Sequence, residues 1–319
     1  MKFTLQRLGL LVVALAVVSV LIFAAIRVLP GDVAAVMAGM NASPARIAAL
    51  RAELGLDEPL VVQYLSWLKG VVTGDFGTSM LTGQPIAAIV AGRAAVTFPL
   101  ILLGLAIALV LGISLGCAAV LARRCWVRSL LQAIAVVGGA VPALWAGLLL
   151  ILLLGSGTGV LSVLPTQGFP QDGWASPGRA LTCLVLPALT VGIIVGASIM
   201  RYTRSALLDV ETNGDVIALA MACGMTRRRA MVTVGLRLAT PQLVSVVGLT
   251  FAEMITGVMV VENLFALPGI GTGLVTDIGQ RDLIAVQGEL LMLAAFFLVV
   301  GFAVDVAHRT LDPRLERAA

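Results

Sequence analysis

A single histidine, His308, among 319 residues cannot assemble a zinc site, and no serine and aspartate stand out beside it as partners of a hydrolytic triad. It reads instead as an interfacial side chain that snorkels at the end of a membrane span. The four cysteines, Cys117, Cys125, Cys183 and Cys223, form no CxxC pair, so they read as inert or buried thiols and not as a disulfide framework. No GxxxxGK(S/T) stretch is present. Without a loop that cradles phosphates, the chain has no ATPase site of its own. Charge is scarce as well: 12% of residues are charged against 60% hydrophobic, and the mean hydropathy is +1.06. A soluble domain must cover its surface with polar groups, so this composition excludes one and places the chain in lipid.

What is abundant is long apolar sequence. Uncharged runs able to cross about 30 Å of hydrocarbon occupy residues 8–26, 94–122, 129–154 and 180–200. Two further candidates, 238–261 (interrupted by Glu253) and about 287–304, bring the expected spans to six. The fold class expected is all-α integral membrane, six transmembrane helices, with a helical extracytoplasmic segment between the first and second. Lys2 and Arg7 ahead of the first run suggest a secretory leader. The run is longer than an ordinary signal core, however, and no clean small-x-small site follows, so an uncleaved helix is expected.

Orientation follows from the basic residues. If six spans alternate, Lys2, Arg7, Arg123, Arg124, Arg128, Arg201, Arg204, Arg227, Arg228, Arg229, Arg237, Arg309, Arg314 and Arg317 share one side, fourteen of the 21 Lys and Arg residues. That side is the cytoplasm, which also takes both termini. The net charge of +4 is then a mark of topology and no argument for nucleic acid. Residues 1–29 are expected as the first transmembrane helix, 30–93 as the extracytoplasmic segment, and 94–319 as the five-helix body.

In the outer segment, ASPARIAALRAELG (42–55) reads as a helix that Ser43 caps, Pro44 opens and Gly55 ends in the left-handed conformation. A second helix is expected after Pro59, with Val62, Leu65, Trp67 and Leu68 as its apolar stripe and Gly70 as its stop. Two readings stand for this segment: a docking surface for an external partner, or a lid packed on its own helices. The glycines of GIGTG (269–273) are expected to form a turn outside the membrane, while GISLG (112–116) and GIIVG (192–196) have the spacing that lets membrane helices approach closely.

NGDVIALAMACGMTRRRA (213–230) is the unusual stretch. Asp215 is placed to cap a helix from Val216 to about Cys223, and Gly224 suits the residue just beyond it. Such a helix is roughly 12 Å long, too short to span, and must lie at the cytoplasmic surface. Ile217, Ala220, Met221 and Gly224 share one small apolar face at i, i+3, i+4, i+7 spacing, fit for a groove in another protein. A positive-inside turn that touches nothing is the plainer alternative.

The stretch resembles the EAA loop of permease subunits from bacterial ABC importers, where a short coupling helix followed by glycine inserts into the ATPase subunit. The peptide branch's form is close to DYVRTARAKGLSxRR; here DVIALAMACGMTRRR keeps Asp215, Ala220, Ala222, Gly224, Arg228 and Arg229, while Ala218, Met221 and Cys223 replace charged positions. RVLPGD (27–32), LRAELGLDEPLVVQYLSWL (50–68), GDFGTSMLTGQP (74–85), VPALWAG (141–147), LPALT (186–190), RYTRSALLDV (201–210), VVENLFALPGIG (260–271), RDLIAVQG (281–288) and LDPR (311–314) follow in family order. Together they resemble the first permease subunit of the dipeptide, oligopeptide and nickel importers over nearly the whole chain.

The resemblance implies a bacterial inner (plasma) membrane permease with an EAA-type coupling loop at about 205–237. ATPase coupling would fall to Asp215, Ile217, Ala220, Met221, Gly224 and Met225. It further implies a second homologous permease, two ATPase subunits or domains carrying ATP and Mg, and an extracytoplasmic substrate-binding protein; lipid surrounds the chain, which itself binds no cofactor. Glu253 lies roughly 18 Å beyond Pro241 by helical rise, near mid-membrane, where an ionised side chain costs about 2.5–3.5 kcal/mol. It is expected to face the bundle interior, either meeting the amino end of a peptide or a cation, or paired within a subunit interface. Pro142 and Trp145 are further path candidates, as a helix break and an amphipathic ring. An ion-coupled secondary transporter is the alternative from another class, disfavoured by the lack of an internal repeat. Nickel chelate or haem are alternative cargoes.

Overall fold

The computed structural model describes residues 2–28, 34, 38, 43–53, 55–157 and 159–311. Most of RVLPGD, all of LDPR except Leu311, and Arg314 and Arg317 lie outside the described residues. Among those described there is no strand, only two isolated bridges. The helices are α1 (Lys2–Val28), α2 (Pro44–Glu53), α3 (Leu60–Thr73), α4 (Ile86–Leu121), α5 (Cys125–Ala140), α6 (Ala143–Leu154), α7 (Pro177–Asn213), α8 (Asp215–Ala222), α9 (Arg227–Leu264), α10 (Ile270–Gly279) and α11 (Leu283–Leu311).

Five of these, α1, α4, α7, α9 and α11, are long and apolar enough to cross a membrane. The expected third span is not one straight helix. It is the pair α5 and α6, bent by 112° at Val141–Pro142. Proline drives the residue before it out of the helical region and offers no N–H to continue the ladder. Val141 is accordingly extended (φ −74°, ψ 125°), and Pro142 opens the next helix.

The chain divides into two compact units, Met1–Val96 with Pro268–Phe302 and Thr97–Leu267 with Ala303–Ala319. In the first, Ser43 Oγ accepts from the Arg46 N–H at 3.3 Å. Gly55 (φ +62°) ends α2, with the Leu56 N–H returning to the Arg51 carbonyl. α3 starts right after Pro59 but runs through Gly70, and Gly74 (φ +82°) closes it. Gly70 serves a different end: a Cβ there would stand 2.5 Å from the Asp75 carbonyl, so its bareness lets the chain fold back over the last turn. α3 leans on α1 through Ser19 and Tyr64 (2.8 Å between hydroxyls) and through Phe23, whose ring lies 5.5 Å from Tyr64 and 6.0 Å from Trp67. The motif at 74–85 is a compact loop in which Ser79 donates to Asp282 at 2.5 Å, and Asp282 also accepts from the Ala285 N–H to cap α11.

In the second unit α7 is central, packing on α5, α6 and α9. The small-residue spacing brings α4 and α7 together as expected. A Cβ on Gly112 would sit 2.6 Å from Ile199, one on Gly116 2.6 Å from Thr203, and one on Gly192 2.6 Å from Ile107. Gly112→Ile is therefore expected to force the helices apart, costing about 1–3 kcal/mol. Reduced accumulation in membranes and a lower melting temperature of the purified chain would register it; an unchanged melt would refute the packing role.

Candidate functional site

The loop from α7 to α9 is held by its own residues. α8 opens on Gly214 as its N-cap, not on Asp215, whose side chain makes no capping bond; Asp215 is the first helical residue and still meets the positive end of the helix. α8 ends as expected, at Gly224 with φ +90°. The Gly224 N–H returns to the Met221 carbonyl (3.0 Å) and the Met225 N–H to the Ala220 carbonyl (3.1 Å), the double closure that requires a left-handed residue. Thr226 then caps α9 by accepting from the Arg229 N–H at 3.4 Å.

Charge closes the base of the loop. Arg227 grips Glu211, near the end of α7, through both carboxylate oxygens (2.6 and 2.9 Å) and reaches the Val120 carbonyl at the end of α4 (3.5 Å). Asn213 donates to Asp209 at 2.6 Å. α9 begins with a π-helical turn, Met231–Gly235, before regular helix resumes.

The face presented by α8 matches the expected one only in part. Ile217 is 2% exposed, in a cluster with Val120, Ala206, Leu207, Ala230, Met231, Ala239 and Leu243, and Ala220 packs against that cluster. These two residues anchor the helix to its own body. The outward face is Val216 (46% exposed), Leu219 (65%), Met221 (44%) and Met225 (36%), with Gly224 and Cys223 exposed beside them. The strongest apolar period of a surface helix marks the side buried in its own protein, and that rule pointed to the base here. Of the expected stripe, Ile217 and Ala220 turn inward, while Met221 and Gly224 lie on the outward face beside Val216 and Leu219.

Glu253 lies on the exposed side of α9, uncovered by the described residues of its own chain. Gln242, Ser245, Leu249 and Thr256 share that side at helical spacing. Ser245 meets His308 Nδ1 at 3.0 Å, so the histidine is a hydrogen-bonded residue of α11. A polar stripe on a membrane-crossing helix, uncovered by its own chain, implies protein or water against it, because lipid does not solvate such groups. Pro142 makes the α5–α6 bend, and Trp145 is 64% exposed on α6.

Three buried acids were missed. Glu262, in the VVENLF motif, accepts from Thr97 at 2.6 Å. In the first unit, Arg93 on α4 bridges Asp277 on α10 (2.6 Å) and Glu289 on α11. GIGTG forms the start of a helix and not a turn. Gly269 caps α10 and the other glycines enter its first turn, where Gly273 leaves room for Arg93 and Glu289.

Two family models match the chain: the binding-protein-dependent transport system inner membrane component over residues 108–317, and the N-terminal part of the same membrane component over 1–100. This chain belongs to that permease family. A Brucella abortus (strain 2308) permease whose name assigns it to a peptide transport system is 35% identical over 315 residues, covering 98% of each chain. The glutathione transport system permease protein GsiC of Salmonella paratyphi A (strain ATCC 9150 / SARB42) is 34% identical over 315 residues, covering 99% of each. A chain of the MetNI methionine ABC transporter, in an inward-facing conformation, shares the fold at 17% identity and a TM-score of 0.52, covering 70% of this permease and 96% of that chain. The permease is thus a multi-pass, non-catalytic inner-membrane subunit of an ABC importer, and the ion-coupled secondary transporter is set aside.

Proposed function

We propose that this permease imports short peptides, forming the path with a second homologous permease while α8 carries motion from an ATPase subunit. The observation that carries the reading is α8 itself: a helix of eight residues, riveted by Ile217 on one side and apolar and exposed on the other. A rigid short rod with a free face suits a groove in a partner. In this reading both termini are cytoplasmic and the outer segment receives cargo from an external binding protein.

The mechanics follow from the anchors. Displacement of α8 acts on α7 through Glu211–Arg227 and on α9 through Ile217 and Met231, so the rod moves both long helices together. ATP, with its Mg on the partner ATPases, drives this only by binding one state better than the other. Glu253 on the exposed stripe of α9 then faces the path or the second permease. Glu253→Gln is expected to lower peptide uptake several-fold without changing membrane abundance; uptake equal to wild type would remove Glu253 from the path.

The names of the relatives, peptide and glutathione systems, support a peptide cargo. The test is ATP-driven uptake by the complete importer in proteoliposomes, with labelled dipeptides, longer peptides, glutathione, a nickel chelate and haem in parallel. Peptides should dominate; exclusive uptake of the chelate or haem would overturn the cargo assignment. Replacing residues 215–224 with a Gly/Ser tether of equal length should abolish uptake, and import that survives would overturn the lever.

A further inference from the structure

A cavity of about 230 Å³ opens in the second unit where α4 ends and α5 begins. Four arginines line it, Arg123, Arg128, Arg204 and Arg227, over an apolar floor that includes Val120 and Leu208. The lever described above uses only one of them. Arg227 is committed to Glu211, whereas Arg123 and Arg128 have no carboxylate within 4.0 Å among the described residues. Arg204 has its Nε buried without a hydrogen-bond partner, while its terminal nitrogens lie 2.8 and 3.3 Å from the side-chain amide of Gln132, which accepts from them when its oxygen is turned toward α7.

Like charges gathered around one space repel, and a buried donor without an acceptor costs about 1–3 kcal/mol, so the arrangement calls for an anion. The planar fork of arginine matches phosphate oxygens two at a time. The cavity also sits where the apolar run of a membrane-crossing helix gives way to Arg123 and Arg124, the change of composition expected at headgroup depth. Basic pockets between transmembrane helices at that depth recognise anionic headgroups.

We propose that this cavity is a phosphate-binding site, filled by the phosphate of an anionic lipid or by free inorganic phosphate. Its occupant bridges the end of α4, the start of α5 and the end of α7. Arg227 follows α8 by only a few residues, so occupancy ties the return of the coupling loop to the membrane surface.

The test is native mass spectrometry of the full-length permease, released from detergent with phosphatidylglycerol or phosphatidylcholine at equal concentrations. Phosphatidylglycerol should be retained preferentially. Arg123→Gln with Arg128→Gln should weaken retention roughly 25-fold, about fivefold per charge removed, and both side chains are exposed enough to be changed without disturbing the fold. Arg128→Gln alone and Arg204→Gln serve as independent variants, each expected to weaken it about fivefold. Arg228→Gln with Arg229→Gln, outside the cavity, removes the same charge and should leave retention unchanged. Displacement of the lipid by millimolar inorganic phosphate, lost in the same cavity variants, would assign the site to free phosphate. Equal retention of the two lipids with no phosphate binding, or equal weakening by cavity and control variants, overturns the proposal.

Discussion

Leu219→Asp is expected to leave the permease inserted and folded while removing its grip on the ATPase subunit and reducing uptake to background. Leu219 is 65% exposed and lies outside the buried cluster that holds Ile217, so an aspartate there stays in water and costs the isolated chain little. In the docked state the same carboxylate would be desolvated in an apolar groove. Truncating one central anchor of an interface commonly costs about 2 kcal/mol or more, roughly thirtyfold in affinity, and a buried unpaired charge costs further. Ile217→Asp is the instructive contrast. Ile217 is 2% exposed among Leu207, Met231 and Leu243, so this change should lower abundance as well as uptake. Immunoblots of membranes, co-purification of the ATPase with a tagged permease, and uptake together separate the two. Normal uptake by Leu219→Asp would mean that the outward face of α8 is not the contact.

The contrast between those two leucine-like positions shows what a sequence discloses and what it withholds. Apolar run length is a local, additive property, and it located α1, α4, α7, α9 and α11, although α7 runs on 13 residues past the expected end at 200, to Asn213, and α9 starts 11 residues before the expected 238, at Arg227. The bend between α5 and α6 escaped because a hydropathy count is blind to backbone angle, although the Val141–Pro142 pair carried the signal. The boundary of α8 at Gly224 was legible from the need for a left-handed residue. Its outward face was legible only in part, at Met221, Gly224 and Met225, because facing depends on Leu207, Met231 and Leu243, which lie on other helices. Gly112 and Gly192 were readable as close-approach residues from spacing alone, whereas Gly273 was misread, since its reason for being bare is a pair of charged groups far away in sequence.

That pair is the largest feature the sequence hid, because Arg93 stands 184 residues from Asp277 and 196 from Glu289. Arg93→Met is expected to be the most destabilising single change in the first unit. The Glu289 side chain is fully buried and that of Asp277 is 9% exposed. An exposed ion pair contributes about 0–1 kcal/mol, but removing one partner of a buried pair leaves uncompensated charge and costs about 3–5 kcal/mol. That is a large share of the 5–15 kcal/mol by which ordinary domains are stable, so steady-state abundance and melting temperature should both fall clearly. The penalty lies in stranded charge and not in lost attraction, which makes a second outcome specific. Arg93→Met combined with Glu289→Met should recover part of the loss, because replacing a buried pair by apolar groups of like size is often near neutral. Gly273→Val should reproduce the defect without touching any charge, since its side chain would enter the space of Arg93 and Glu289. Thermal melts of the purified variants decide the matter: if Arg93→Met melts with wild type, or if the double variant is worse than the single, the cluster is not what holds α4, α10 and α11 together.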